Sequence, residues 1–193
     1  MLNSLEGHFL LAADHLRGPS FYQSVVLMLE HTEEAAMGLI VNRPMSTKLH
    51  EALGDIASTD DQRSLLFFGG PVEDSSMFVM HNCQDLSSSD RPICDGVYVS
   101  SSSDSFDYLT QEASSVKEQR LFRVYCGYAG WDGQQLEQEI QRGDWLSIPA
   151  TSERVFQSDP YQLWDDCMEQ RKAQRRFLPA FPSNPLMLSL IHI

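Results

Sequence analysis

Two short polar clusters in this chain carry residue types that could do chemistry. Glu30-His31 ends a run of apolar residues, and Asn42-Arg43-Pro44 ends the next one. A carboxylate, an imidazole and a guanidinium gathered at one sheet end would make an acid–base site or an anion clamp. Arg43 either offers a bidentate donor to a carboxylate or phosphate, or pairs with an internal acid such as Glu30. Asn42 either joins it or ties a turn, and the whole set either does chemistry or closes the sheet by hydrogen bonding. A third cluster, Gly127-Tyr-Ala-Gly-Trp131 followed by Asp132-Gly-Gln-Gln135, reads as a strand end, a glycine-punctuated turn and a helix start. Free N–H groups at a helix start attract anions. The plain alternative is a cap satisfied by Asp132, with Trp131 simply packed.

The candidate ligand-binding residues are therefore Glu30, His31, Asn42, Arg43, Trp131 and Gln135. Arg43 and Trp131 are expected to line one cleft, floored by the helix that starts at Asp132. Other features carry less. Gly69-Gly-Pro71 lacks the G-x-x-x-x-G-K-[ST] phosphate loop and reads as a tight turn needing positive φ. His81 stands alone at a strand end, and Ser24 precedes buried Val25. No G-x-S-x-G, H-E-x-x-H or Cys–His nucleophile pairing occurs, so no catalytic residue, cofactor or metal is assigned.

The elements that must position these residues follow from apolar patterning. His8–Ala13 reads as a first strand. Residues 24–31, near-continuously apolar, read as a strand buried on both faces. A short acidic turn at Glu33-Glu34 leads to a strand over 37–42, which predicts an antiparallel hairpin. Further strands are expected at 65–68, 77–81, 96–100, 121–126 and 145–149. Helices are expected at 47–53, 104–115, 132–142 and 161–175. Asp132 and Gln135 suggest a capping box for the third of these, and Gly143 its stop. Hairpins beside helix crossovers, without a regular βαβ rhythm, argue for a mixed-sheet α+β fold. Residues 1–176 are expected to form a single domain, followed by a Pro-rich and then apolar tail over 177–193.

Composition narrows the function classes. The chain has 193 residues and a net charge of −13. That balance repels phosphate backbones and argues against duplex nucleic acid as a partner. The basic pairs Arg171-Lys172 and Arg175-Arg176 read as cations complementing a helix C-terminus. Four cysteines without C-x-x-C spacing read as reduced thiols of a cytoplasmic protein. No apolar run approaches the roughly 18 residues of a membrane span.

Six segments in order resemble one bacterial family. They are Ser24-Val-Val-Leu…Glu30-His31, Gly38-Leu-Ile-Val-Asn-Arg-Pro44, Gly69-Gly-Pro-Val72, Phe78-Val-Met-His81, Asp95-Gly-Val-Tyr98 and Gly127-Tyr-Ala-Gly-Trp131…Gln135-Leu-Glu137. Together they resemble the YqgE/AlgH family over roughly residues 5 to 165. The chain departs from the family pattern at Gly18-Pro19, at Asp132-Gly133-Gln134 and in its apolar tail. The resemblance implies an α+β fold whose mixed, largely antiparallel sheet is bent into a barrel-like form and flanked by helices. It implies a cytoplasmic bacterial protein and no known reaction. Some members are labelled transcriptional regulators, although no DNA-binding motif accompanies the label. The resulting expectation is a non-enzymatic regulatory module that binds a small ligand or a protein partner. The alternative is an enzyme using His31, Glu30 and Arg43.

Overall fold

The computed structural model describes residues 4–48, 65–84, 91–105, 108 and 121–177. Nine strands form one mixed sheet: β1 (His8–Ala12), β2 (Val25–His31), β3 (Ala35–Ile40), β4 (Pro44–Lys48), β5 (Leu65–Phe68), β6 (Val72–His81), β7 (Tyr98–Ser100), β8 (Phe122–Asp132) and β9 (Trp145–Pro149). Among the described residues, the helices placed in full are α1 (Gln135–Arg142), α2 (Ser152–Phe156) and α3 (Leu163–Phe177). The strand order is β4-β5-β8-β3-β2-β1-β9, with β6 and β7 branching from β8. Every named pairing is antiparallel except β5 with β8. The path is open among the described strands, ending at β4 and β9.

Alternating side chains of the central strands feed two cores. Phe9, Leu11, Val25 and Leu27 join Phe67, Tyr125, Val155, Leu163 and Trp164 on the face covered by α2 and α3. Leu10, Ala12, Val26 and Met28 join Trp131, Leu136 and Trp145 on the face covered by α1. Burial on both faces is why β1 and β2 read as continuous apolar runs and not as alternating ones. The predicted hairpin is present: β2 and β3 are antiparallel neighbours, with Leu27 opposite Leu39 and His31 opposite Ala36.

Three local expectations are corrected. Thr47 and Lys48 lie in β4 and do not start a helix; residues 49–53 fall outside the described residues. Pro44 ends no inner strand but opens β4, which pairs only with β5 and carries an irregular register. A proline is tolerated on such an edge because no ladder hydrogen bond is required of it. The stretch 127–131 is no turn. It continues β8 to Asp132, with Gly127 at φ 69° facing the place where the register of β6 shifts between Val72 and Met77.

Asp132, the last residue of that strand, does not cap α1. Gln134, at φ 65°, occupies the N-cap without a side-chain bond. Half of the anticipated capping box survives, since the Asp132 N–H donates to Gln135 Oε1 at 3.1 Å. Gly143 stops the helix in the left-handed region, as expected. Helix α2 was not legible. Thr151 caps it by accepting from the Arg154 N–H. The helix expected at 104–115 lies mostly outside the described residues, and so does the tail beyond Phe177.

Candidate functional site

The hairpin that was expected to unite the polar clusters separates them. In an antiparallel pair the end of one strand meets the start of the next. Glu30 lies opposite Met37, and His31 opposite Ala36. Asn42 is five residues beyond Met37, roughly 17 Å away at strand rise. Glu30 and His31 therefore sit at the turn end of the hairpin, and Asn42 and Arg43 at its open end. Trp131 lies opposite Ala36 from β8, seven residues short of Arg43 and so roughly 23 Å from it. Among the described residues, Arg43 and Trp131 lie toward opposite ends of β3, and His31 and Glu30 lie at the end away from Arg43.

At the open end, Asn42 is buried and engaged at both of its polar atoms. Its Oδ1 accepts from the Val25 N–H at 2.8 Å, and its Nδ2 donates to the Gln23 carbonyl at 2.9 Å. This is the turn-tying role. Arg43 donates through Nη2 to the Tyr22 carbonyl. Among the described residues it has no carboxylate partner, so the pairing with Glu30 is absent. Partial burial lowers its pKa from the ordinary value. With no buried ion pair to break, Arg43→Ala should cost under about 1 kcal/mol in a urea melt. A loss of roughly 3–5 kcal/mol would reveal a buried pair after all.

At the turn end, His31, Ala36 and Trp131 form one buried row across β2, β3 and β8. His31 Nδ1 accepts from the Leu5 N–H at 3.0 Å, and Nε2 faces Glu137 Oε1 at 2.9 Å. A backbone donor on Nδ1 leaves one arrangement: Nε2 carries the proton and donates it to Glu137. The imidazole has no lone pair left to accept a substrate proton unless Leu5 is released. Glu30, one residue earlier, points to solvent on the other face.

Beside this row, Glu139 collects three donors. The Trp131 and Trp145 indole N–H groups both reach Oε2 at 2.8 Å, and Gln135 Nε2 reaches Oε1 at 2.9 Å. Phe21 packs on both indoles, with ring centroids 6.5 and 5.4 Å apart. Trp131 and Gln135 are thus brought together, as parts of a filled hydrogen-bond network. Glu137 and Glu139 escaped the sequence reading. The signal was the i, i+4 spacing of Gln135 and Glu139 on one face of a helix that directly follows Trp131.

One open cleft among the described residues lies elsewhere. Its volume is about 730 Å³, and it is lined by Pro44, Leu65, Phe67, Leu121, Phe122, Arg123 and residues 156–161. It gathers the starts of β4, β5 and β8 and the loop between α2 and α3. Arg123 lies over the Phe67 ring, 5.0 Å from its centroid. Its Nη2 reaches the Phe156 and Ser158 carbonyls at 3.3 and 3.4 Å. No carboxylate among the described residues pairs with it. Beneath it, burial pushes the Tyr125 hydroxyl up to about 12, with Arg123 acting in the opposite sense. Tyr161, 74 % exposed, stands at the rim. The sequence signal for this place was a lone charge inside the apolar run Leu121-Phe-Arg-Val-Tyr-Cys126.

The remaining reactive types are quiet. Burial, with help from Asp95, pushes the Cys94 thiol up to about 11, and burial does the same for Cys167. Cys126 is also raised, chiefly by burial. Thiols so shifted stay protonated near neutrality and are poor nucleophiles. No group of three or more His, Cys, Asp or Glu among the described residues is placed to hold a metal. No described helix is long and apolar enough to cross a membrane.

A family model described as AlgH-like matches residues 9–175. The chain belongs to the AlgH-like family. Relatives of this AlgH-like chain include a UPF0301 protein of Idiomarina loihiensis, 34 % identical over 174 residues that cover 88 % of this chain and 92 % of that one. A UPF0301 protein of Chlorobium limicola is 34 % identical over 179 residues, 93 % of each chain. Among solved structures, the AlgH protein of Pseudomonas aeruginosa is similar with a TM-score of 0.66 and 30 % identity, covering 91 % of this chain and 93 % of that one. A Corynebacterium diphtheriae protein shares the fold with a TM-score of 0.71 at 22 % identity, covering 88 % of each chain. The AlgH-like sequence signature maps largely onto packing. His31, Asn42, Gly69, Gly70 and Trp131 all serve contacts within the sheet or between sheet and helix.

Proposed function

We propose that this AlgH-like chain is a cytoplasmic binding module that acts in regulation through a small ligand or a protein partner, not through catalysis or duplex DNA. The observation that carries the reading is the cleft beside Arg123. It has the size of a small-molecule site, and its lining combines rings with the polar residues Arg123, Gln157, Ser158 and Asp159. The engaged state of His31 supports the same side, because an acid–base residue needs a free nitrogen facing substrate. The net charge of −13 supports regulation without direct contact to DNA. In this reading the sheet bends in the barrel-like manner that the family resemblance implies, and the cleft lies at one of its ends.

The test is a native mass spectrum of the protein taken directly from cells, beside a gel shift with duplex DNA. A co-purifying mass that is lost in Tyr161→Ala is the expected result, together with no shift of DNA at submicromolar protein and physiological salt. A salt-dependent DNA shift, or a bound mass that ignores every change to the cleft, would overturn the reading.

A further inference from the structure

We propose that the cleft takes a planar aromatic carboxylate, its rings held by the aromatic and proline walls and its anionic group directed at Arg123. This rests on the cleft being the binding site proposed above, and names its ligand class. The chain holds 27 acidic residues against 14 basic ones, and even so some arginines, Arg43 among them, find no acid among the described residues. Arg123 is such a residue among those described. It is half-buried, its Nη2 reaches two neutral carbonyls at long range, and a further neighbour is the neutral Tyr125 hydroxyl, on which it acts by charge and hydrogen bonding. Its Nη1 is buried without an acceptor in bonding geometry. A guanidinium held this way is undersupplied with acceptors, and a carboxylate matches its fork.

The walls supply the second half of the recognition. Pro44, Phe122, Phe156, Pro160 and Tyr161 line the same cleft as Arg123, whose guanidinium lies over the Phe67 ring. Flat surfaces favour a flat body, since stacked rings gain dispersion contacts without ordering flexible chains. Asp159 also lines the cleft and opposes an anion. Its Oδ1 is already engaged by the Tyr161 N–H at 3.0 Å, which fixes the turn. A single carboxylate near Arg123 tolerates that charge better than a doubly charged phosphate would.

The experiment uses two probes of nearly equal shape, naphthoate and uncharged naphthamide, titrated into the full chain and followed by backbone amide NMR. Naphthoate is expected to shift the signals of Phe122, Arg123, Gln157 and Ser158, and to bind about tenfold tighter than naphthamide. Tyr161→Ala should weaken both probes. Asp159→Asn keeps the turn acceptor and removes the opposing charge, so it should tighten naphthoate about two- to threefold and leave naphthamide unchanged. These variants leave Arg123 and its loop contacts in place, so folding does not confuse the result. Equal binding of the two probes in the cleft would overturn the anionic class while sustaining the cleft as the site. If neither probe shifts those signals and a cellular adduct is still lost in Tyr161→Ala, the class again falls alone. If neither probe binds and no adduct depends on the cleft, both proposals fall.

Discussion

Gly70→Ala should leave little folded protein. A Cβ at Gly70 would lie 2.1 Å from the Tyr128 carbonyl carbon and 2.2 Å from its oxygen. The residue also sits at φ 154°, where side-chain-bearing residues are rarely found. Its neighbour Gly69 stitches the sheet together: the Gly69 carbonyl accepts from the Ile40 N–H at 2.8 Å, and the Gly69 N–H donates to Cys126 at 2.7 Å. Across the gap, Gly127 is equally confined, since a Cβ there would meet the Gly70 carbonyl at 2.4 Å. Two backbones approach here with no room for a methyl group, and both sides are main chain that no rotamer change can clear. The expected cost exceeds about 4 kcal/mol, a large share of what a domain of this size has to lose. Soluble yield and urea unfolding give the measurement. Gly18→Ala is the control, because a Cβ there meets nothing within 4 Å. It should shift stability by no more than about 0.5 kcal/mol. A Gly70→Ala protein that melts like the parent would show that the two segments do not pack as described.

Glu139→Ala should cost about 2–4 kcal/mol, through donors left without an acceptor more than through lost contact area. Trp131 and Trp145 are 5 % and 3 % exposed, and both indole N–H groups end on the same carboxylate oxygen. Removing it strands both, along with one end of Gln135. Each stranded buried donor costs roughly 1–3 kcal/mol unless water reaches it. Glu139→Gln retains an acceptor oxygen and should cost less than alanine. A thermal melt reads the loss. Tryptophan emission should move to the red, since these are two of only three tryptophans in the chain. An unchanged melt and spectrum would mean that the carboxylate contributes nothing there. The outcome also bears on function: a large stability loss would mark Trp131 and Gln135 as scaffold and leave the Arg123 cleft as the candidate binding surface.

The sequence by itself determined the strands that apolar patterning dictates. Runs such as Phe9–Ala12 and Val25–Met28 can only be satisfied by burial on both faces, and the short acidic turn at Glu33-Glu34 leaves its flanking strands no choice but to pair. Gly143 ended its helix for a local reason, and so was legible. The ordered motifs identified the family. Only the tertiary structure decided what the polar residues do. Whether Glu30 and Arg43 meet depends on which strand ends coincide, and antiparallel register sets them far apart. Whether Gly127 begins a turn or continues a strand depends on Gly69 and Gly70 pressing from across the sheet, nearly sixty residues earlier. Whether Trp131 lines a cleft or a core depends on Phe21, Glu139 and Trp145 closing over it. The cleft at Arg123 was hidden for the same reason. Its walls come from β4, β5, β8 and the loop before α3, four stretches distant in sequence that only the folded sheet brings to one place.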